Sequence, residues 1–348
     1  MKKIYYITAV FATLFLVGCG DGIDLPGVNV ETDLNKIPLP DNNVNLEQVE
    51  LKPSTEPMLH EGLHTEEDFQ RIRDKKAAGE EPWISAYQLL VESQFSQKTA
   101  DTYPTEWIKR GVSGDENYMN AARGATIVYQ QALRWKIEQD DEYAAKAVEN
   151  LNKWVQTCVG VTGNTNLSLA AGLYGYEFAI AGELLRDYGG WDRADFAAFQ
   201  NWLLKVFYPA NDDFLKRHHD TNALHYWANW CLCNIAAKMA IGIVTDRRDI
   251  YNEGIAHLQT GDTNGRLRRA IYHDYAPDYN FAQWQESGRD QGHTLMCVGL
   301  MGIICQLAWS QGDDFFAYDD NLFLRACEYA ACCNYTNETV PYLSLIHI

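Results

Sequence analysis

Positive charge is scarce in this chain: 29 lysines and arginines stand against 47 aspartates and glutamates, a formal net charge of −18 at pH 7. A body that acidic repels a polyphosphate backbone, so nucleic acid is excluded as a partner. Any CxxC pair is also lacking. Cys231 and Cys233 ("CLC") and Cys332 and Cys333 ("ACC") lie in helix-like segments, where residues one or two apart point in different directions. That excludes a zinc ribbon or finger. It predicts buried free thiols, with one disulfide open to an exported protein. Alternating polar and apolar runs joined by hairpin turns are almost absent, which excludes a β-sandwich or barrel. No fixed-period repeat is visible, which argues against a TPR-type array. The N-terminal apolar run, Ile4 to Val17, is too short at about fourteen residues to cross a membrane comfortably.

That run reads instead as an export signal. Lys2 and Lys3 precede it, and it ends in "LVGC", Leu16 to Cys19, the form of a bacterial lipoprotein cleavage and lipidation box. Residues 1–18 are therefore expected to be a signal peptide, and Cys19 the lipidated first residue of a membrane-anchored protein. Residues 19–57, rich in Asp, Asn, Pro and Val with no apolar period, read as a tether. The acids in "CGDGID" suit an outer surface. The expected location is periplasmic or outer-membrane, with surface exposure left open. At the other end, "LSLIHI", Leu343 to Ile348, back-translates as CTG TCT CTT ATA CAC ATC, a transposase adapter of sequencing libraries. Residues 343–348 are expected to be adapter read-through, and His347 is given no functional weight. The domain over 58–342 is then expected to be C-terminally truncated.

Between these ends the pattern is helix after helix. "HTEEDFQRIRDKKAAG" opens with Thr65 as an N-cap and acids in its first turn, and closes at Gly79. Further helices are predicted near 83–95, 117–138, 141–158, 166–187, 191–207, 227–244, 247–259, 291–311 and 319–334. Leu169, Leu173, Tyr176, Ile180 and Leu184 fall on one helical stripe, as do Tyr118, Ala122, Ala125, Tyr129 and Leu133. So many helices of this length fit stacked hairpins, either a straight solenoid or an α/α toroid. The longest non-helical stretch is 260–290. Long loops in compact domains are usually functional or disordered, and the aromatics throughout this one argue for function.

Cations and rings concentrate in three places. They are "KRHHDTNALHYWANW" (Lys216 to Trp230), the loop carrying Arg266, Arg268, Arg269, His273 and several aromatics, and "ESGRDQGHT" (Glu286 to Thr294). Each lies at or before a predicted helix start, where backbone N–H groups favour anions. A cationic cleft on an acidic body suits an anionic ligand, and Tyr and Trp rings suit sugar faces. An acidic sugar polymer meets both demands. The adjacent His218 and His219 diverge on a regular backbone and no carboxylate triad frames them, so no metal is expected.

"YWANWCLCNIAAKMAIGIVTDRRDIYNEGI" followed by "WQESGRDQGHTLMCVGLMGIICQLAWSQGDDFFAY" resembles the alginate-lyase-like superfamily of polysaccharide lyases. "GLHTEEDFQRIRDKKAAGEEPW" and "NYMNAARGATIVYQQALRWKI" resemble its N-terminal part. The resemblance covers 58–342 and is strongest to the bacterial lipoproteins of polysaccharide lyase family 38. It implies an all-α, incomplete α/α toroid that cuts 1,4-linked uronic-acid polymers by β-elimination without a cofactor. The implied partner is an anionic polysaccharide, alginate above others, bound by a monomer.

β-Elimination sets three tasks. The charge of the uronate carboxylate must be offset so that C5 can lose its proton, a role for Asn, His or Arg. A base takes that proton, and an acid protonates the O4 leaving group. A Tyr flanked by cations can do either, because positive charge favours phenolate. Related toroid lyases use an Asn/His pair at a helix entrance and an Arg/Tyr pair in a later loop. The resemblance places the first on His225 and Asn229, either side of Trp227, and the second on Tyr279 and Arg289. The adjacent Asn-His of the family is spread out here in "HYWAN". Asn222, Tyr226, Trp227, Tyr272, Tyr275, Trp284 and His293 form the expected substrate-binding set. Within it Tyr272 and Tyr275 compete with Tyr279, and Asn222 with Asn229. Structural roles stay open beside these: packing for His225 or Tyr279, an ion pair of Arg289 with Glu286 or Asp290, and a solvated face for Arg266, Arg268 and Arg269. Two other functions stay open too, a glycoside hydrolase using Glu286 and Asp290 and a glycan-binding lipoprotein without catalysis.

Overall fold

A computed structural model describes residues 54–336 and 339–343. The expected signal peptide, Cys19 and most of the tether lie outside the described residues, as does the chain after Leu343. In the first described helix, α1 (Glu66–Ala77), the Thr65 hydroxyl accepts from the Asp68 N–H at 3.2 Å. The Asp68 carboxylate accepts from the Thr65 N–H at 3.0 Å. This reciprocal box satisfies two donors that a helix start leaves unbonded. Lys75 and Lys76 sit in the last turn, and Gly79, at φ +68°, takes the left-handed turn that ends the segment.

The helices that follow are α2 (Trp83–Glu92), α3 (Tyr118–Glu138), α4 (Asp141–Thr157), α5 (Leu167–Leu184), α6 (Arg193–Val206), α7 (Tyr208–Arg217), α8 (Ala228–Val244), α9 (Arg248–Thr260), α10 (Gln291–Ser310) and α11 (Tyr318–Tyr335). The sequence pattern misses α7, whose first turn holds Pro209. Proline is tolerated in a first turn, because its missing N–H would find no partner there.

Composition sorts these helices into two layers. α5 and α8 bury almost every residue and are predominantly apolar on all faces, with a few buried polar groups such as Asn229 and Asn234. α4 exposes a polar face and buries Ala144, Ala147, Leu151 and Trp154 on the other. Accordingly α3, α5, α8 and α10 pack side by side as an inner arc, with α4, α6 and α7, α9 and α11 outside them. The fold is an incomplete α/α toroid. Its tightest seam depends on Gly172 of α5, where an added Cβ would lie 2.5 Å from the Cys233 Sγ and 3.0 Å from the Asn234 nitrogen on α8.

The inner helices start at one rim. Strands β1 (Trp107–Arg110) and β2 (Gly160–Gly163), just ahead of α3 and α5, pair in parallel. Tyr118 of α3 stacks on Tyr174 of α5 at 6.5 Å. The buried Asn234 of α8 donates to the Ser168 carbonyl of α5 at 3.2 Å. The predicted loop 260–290 is not irregular throughout: β3 (Ile271–Asp274) and β4 (Ala282–Trp284) form an antiparallel hairpin within it. At the opposite end a strap from Glu56 to His64 crosses the arc. The Gln311 side chain binds the backbone of Leu59 and Glu61 at 2.8–3.0 Å, Arg248 binds the carbonyls of Glu56 and Pro57, and His64 Nε2 meets the Tyr129 hydroxyl at 2.6 Å. All cysteines among the described residues are free thiols, most of them buried.

Candidate active site

The rim is organised around the start of α8. Trp227 is its N-cap in extended conformation and supplies no side-chain cap. The cap comes from the loop after β4, where the buried Gln285 accepts the Ala228 N–H at 2.9 Å. A second buried amide, Asn264, donates to the carbonyls of Leu224 (3.0 Å) and Tyr226 (2.8 Å). His225 is therefore held from both sides while remaining exposed, its ring edge-on to Tyr226 at 4.9 Å. In the first turn of α8, Asn229 is buried, with Nδ2 3.8 Å from the Met296 Sδ of α10 and Oδ1 without a partner among the described residues. A buried carbonyl oxygen without a donor is costly, which marks this side chain as held for something other than packing.

Arg289 closes the rim against α10. Its Nε donates to Glu286 Oε2 at 2.7 Å, its Nη1 lies 3.7 Å from Asp290 Oδ2, and its guanidinium sits 5.3 Å from the Trp227 ring. Asp290 caps α10 by accepting the His293 N–H at 2.7 Å and also lies 2.7 Å from His293 Nδ1. Burial pushes the Glu286 carboxyl up, while Arg289 draws it back. Burial acts on Asp290 in the same sense, but the His293 N–H and the nearby charges hold it below its ordinary value. The ion pair foreseen as the structural role of Arg289 is thus formed, and two acids already balance its charge.

The arginine run differs from the solvated face expected of it. Arg268 pairs with Asp319 and Asp274, and Arg269 donates to the Asp262 carbonyl. Arg266 is only 9% exposed, and its Nε has no partner among the described residues. It stands two residues after Asn264, whose amide holds the His225 loop. Three arginines within four positions look alike in sequence until burial separates them, so no linear signal singled this one out.

The hairpin divides the competing tyrosines. Ile271 pairs with Trp284 and His273 with Gln283, which leaves Tyr272 at a bulge beside the rim; bulges commonly re-aim a side chain next to a site. Tyr279 lies at the far tip, 53% exposed, with its ring 6.5 Å from Tyr275. Among the described residues nothing joins it to Arg289, its expected partner. Tyr275 donates to Gln283 Oε1 at 2.6 Å and stacks on Tyr329, and burial pushes its hydroxyl well up.

Two of the expected sugar platforms need correction. Trp284 is fully buried, with its indole N–H donating to the Ala326 carbonyl at 3.0 Å. Tyr226 is packed among Phe214, His218 and Trp230. Rings without a free face offer a sugar nothing to stack on. Asn222 is exposed and accepts the Leu224 N–H at 2.8 Å, a turn contact away from Asn229. The backbone at His218 and His219 is not regular, since both are left-handed together with Asp220. His218 lies 3.8 Å from the Cys231 Sγ, and His219 Nε2 lies 3.0 Å from the Ser168 Oγ.

Residues 72–338 match the family model described as alginate lyase. The chain belongs to the alginate lyase family. No curated protein sequence is significantly similar to it. Solved structures similar to this family member include a His-to-Ala variant of alginate lyase A1-III complexed with a tetrasaccharide. That likeness has a TM-score of 0.58 at 14% identity, over 78% of this chain and 79% of that one. Alginate lyase A1-III from Sphingomonas species A1 gives 0.55 at 13% identity over 80% of each chain. An alginate lyase from Bacteroides ovatus gives 0.54 at 14% identity, over 77% of this chain and 81% of the other. At such identities the likeness is one of fold.

Proposed function

We propose that this alginate lyase family member is a polysaccharide lyase that cleaves 1,4-linked uronic-acid polymers, alginate foremost, into unsaturated oligouronides. One arrangement carries the reading: the exposed His225 is clamped between buried amides at the start of α8, the helix whose first turn holds Asn229, while Arg266, two residues after the clamping Asn264, has no acid partner among the described residues. The amide N–H of Asn229 and the guanidinium of Arg266 would donate to and offset the uronate carboxylate, which is the electrostatic requirement for ionising C5. His225 would take the C5 proton and Tyr272 would protonate O4. Arg289, already paired, would orient Trp227 at the sugar-binding edge. Tyr272 replaces Tyr279 in this scheme because it lies at the bulge beside the rim. Export as a lipoprotein anchored through Cys19, acting as a monomer at the cell envelope, belongs to the same proposal.

Hydrolysis is disfavoured by the acids themselves. Glu286 has no exposed surface and Asp290 serves as a helix cap, so the two do not flank an open cleft as a glycosidase pair must. The deciding experiment follows the ultraviolet absorbance of unsaturated uronide when the full chain is incubated with alginate and with glucuronan. Reducing ends without absorbance would mean hydrolysis, and retention without cleavage would mean binding alone. Tyr272→Phe should lower kcat by about 100-fold or more, with Tyr279→Phe within about threefold of wild type. The reverse order would return the role to Tyr279.

A further inference from the structure

At the end of β1, just ahead of α3, Arg110 is a second buried cation. It is 8% exposed, its guanidinium lies 4.7 Å from the Tyr118 ring centroid, and its Nη1 is buried without a partner among the described residues. Five arginines are buried among the described residues. Arg134 has Glu138, Arg186 has Glu183 and Asp246, and Arg325 has Asp274. Only Arg110 and Arg266 of these have no carboxylate, in a chain holding 47 acids. Taking a charge out of water without a counter-charge is costly, and a ring face offsets only part of that cost. Such a guanidinium keeps a planar fork suited to a carboxylate.

Its position gives the fork something to bind. Tyr118, beneath it, stacks on Tyr174, and β1 runs parallel to β2 at the starts of α3 and α5. The positive charge of Arg110 also bears on the Cys233 thiol, where burial is the dominant upward influence and Arg110 opposes it. Cys233 lies one turn after Asn229 on α8. Tyr174 is two residues along α5 from Gly172, which abuts Cys233 on α8, so the Arg110–Tyr118–Tyr174 stack borders the same α5–α8 seam as Asn229, approached from the α3 side.

We propose that Arg110 binds the carboxylate of a uronate unit adjacent to the one at Asn229, so that the rim reads charge on successive sugars. The inference takes its substrate class from the lyase reading above. It makes Arg110 a specificity determinant for polyuronates over neutral polymers and gives it no part in proton transfer.

The test measures, by calorimetry on the full chain, binding of an alginate tetrasaccharide and of its carboxyl-reduced, neutral counterpart. Arg110→Gln should weaken the charged ligand about tenfold or more and leave the neutral one within about twofold. Arg110→Lys, which keeps the charge without the fork, should fall between. The melting temperature of Arg110→Gln should be unchanged or higher, because an unpaired buried charge has been removed; a purely structural arginine would give a drop. If the glutamine variant fails to fold, the lysine variant decides: undiminished preference for the charged ligand overturns the proposal. Equal loss for both ligands, or no loss, overturns it as well. A wild type that binds the tetrasaccharide but yields no absorbance ends the lyase reading alone. One that cleaves while Arg110→Gln binds normally ends the Arg110 assignment alone, and one that neither binds nor cleaves ends both.

Discussion

Replacing Gln285 by methionine keeps the side-chain length and removes the acceptor that caps α8 from outside the helix. Gln285 is buried and accepts the Ala228 N–H at 2.9 Å, while Trp227, the residue in the cap position, contributes no side-chain bond. The substitution leaves a buried N–H without a partner, a penalty of about 1–3 kcal/mol, and the lost cap is the same interaction counted another way. Methionine fills most of the volume, so little cavity term is added and the expected loss is about 2 kcal/mol. For a domain of this size that corresponds to a fall of about 3–4 °C in Tm. The same bond ties the 285–289 turn to the His225 loop, so kcat/KM should fall by about tenfold under conditions where the variant is fully folded. Gln131→Met is the control. Gln131 is equally buried and bonds the carbonyls of Gln97 and Ala100 on the outer side of α3. It should lose comparable stability and keep its activity. Urea midpoints and initial rates on alginate read both quantities. A Gln285→Met protein within about 0.5 kcal/mol of wild type, or no less active than Gln131→Met, would refute the reasoning.

Other predictions concern the body of the toroid. Burial lowers His64 from 6.5 to about 4, so the folded chain binds fewer protons there than the unfolded chain. Stability should then drop as pH falls from about 6.5 to about 4, by about 1.4 kcal/mol per unit, and His64→Gln should flatten the dependence of the urea midpoint. Glu177 works in the opposite sense. Burial raises it from 4.5 to about 8, the folded state retains a proton that the unfolded state releases, and stability should decline as pH rises through that window. Glu177→Gln should remove the alkaline loss in the same measurement. Gly172→Ala should lower stability by about 1–3 kcal/mol, since its methyl group would sit 2.5 Å from the Cys233 sulfur; an unchanged melting curve would show that the α5–α8 seam can open.

Local rules were legible in the sequence and spatial ones were not. The Thr65 cap, the Gly79 stop and the stripes of α3 and α5 follow from spacing along one helix, and the structure places them where that spacing puts them. The helix over 208–217 was missed, and its Pro209 gives no linear signal, since a proline at a helix start and one in a break look the same until the neighbours are seen. His225, Trp227 and Asn229 had to lie together, since all flank one helix start. The aromatics were harder. Trp284 and Tyr226 stand in ring-rich segments, as a sugar platform would, yet they pack inward. Whether a cation is paired depends on acids far along the chain, as when Arg268 meets Asp319, so Arg266 and Arg110 could not be told from ordinary surface arginines.

The strap that joins Leu59 to Gln311 spans 252 positions of sequence. While the chain is being made, its leading segment must wait for α10 before it has anything to clasp. Contacts so distant slow folding more than they weaken the finished protein. Until then the arc is an open fan whose greasy inner edges have no cover. Misassembly is a hazard of that interval, and the clasp is what ends it.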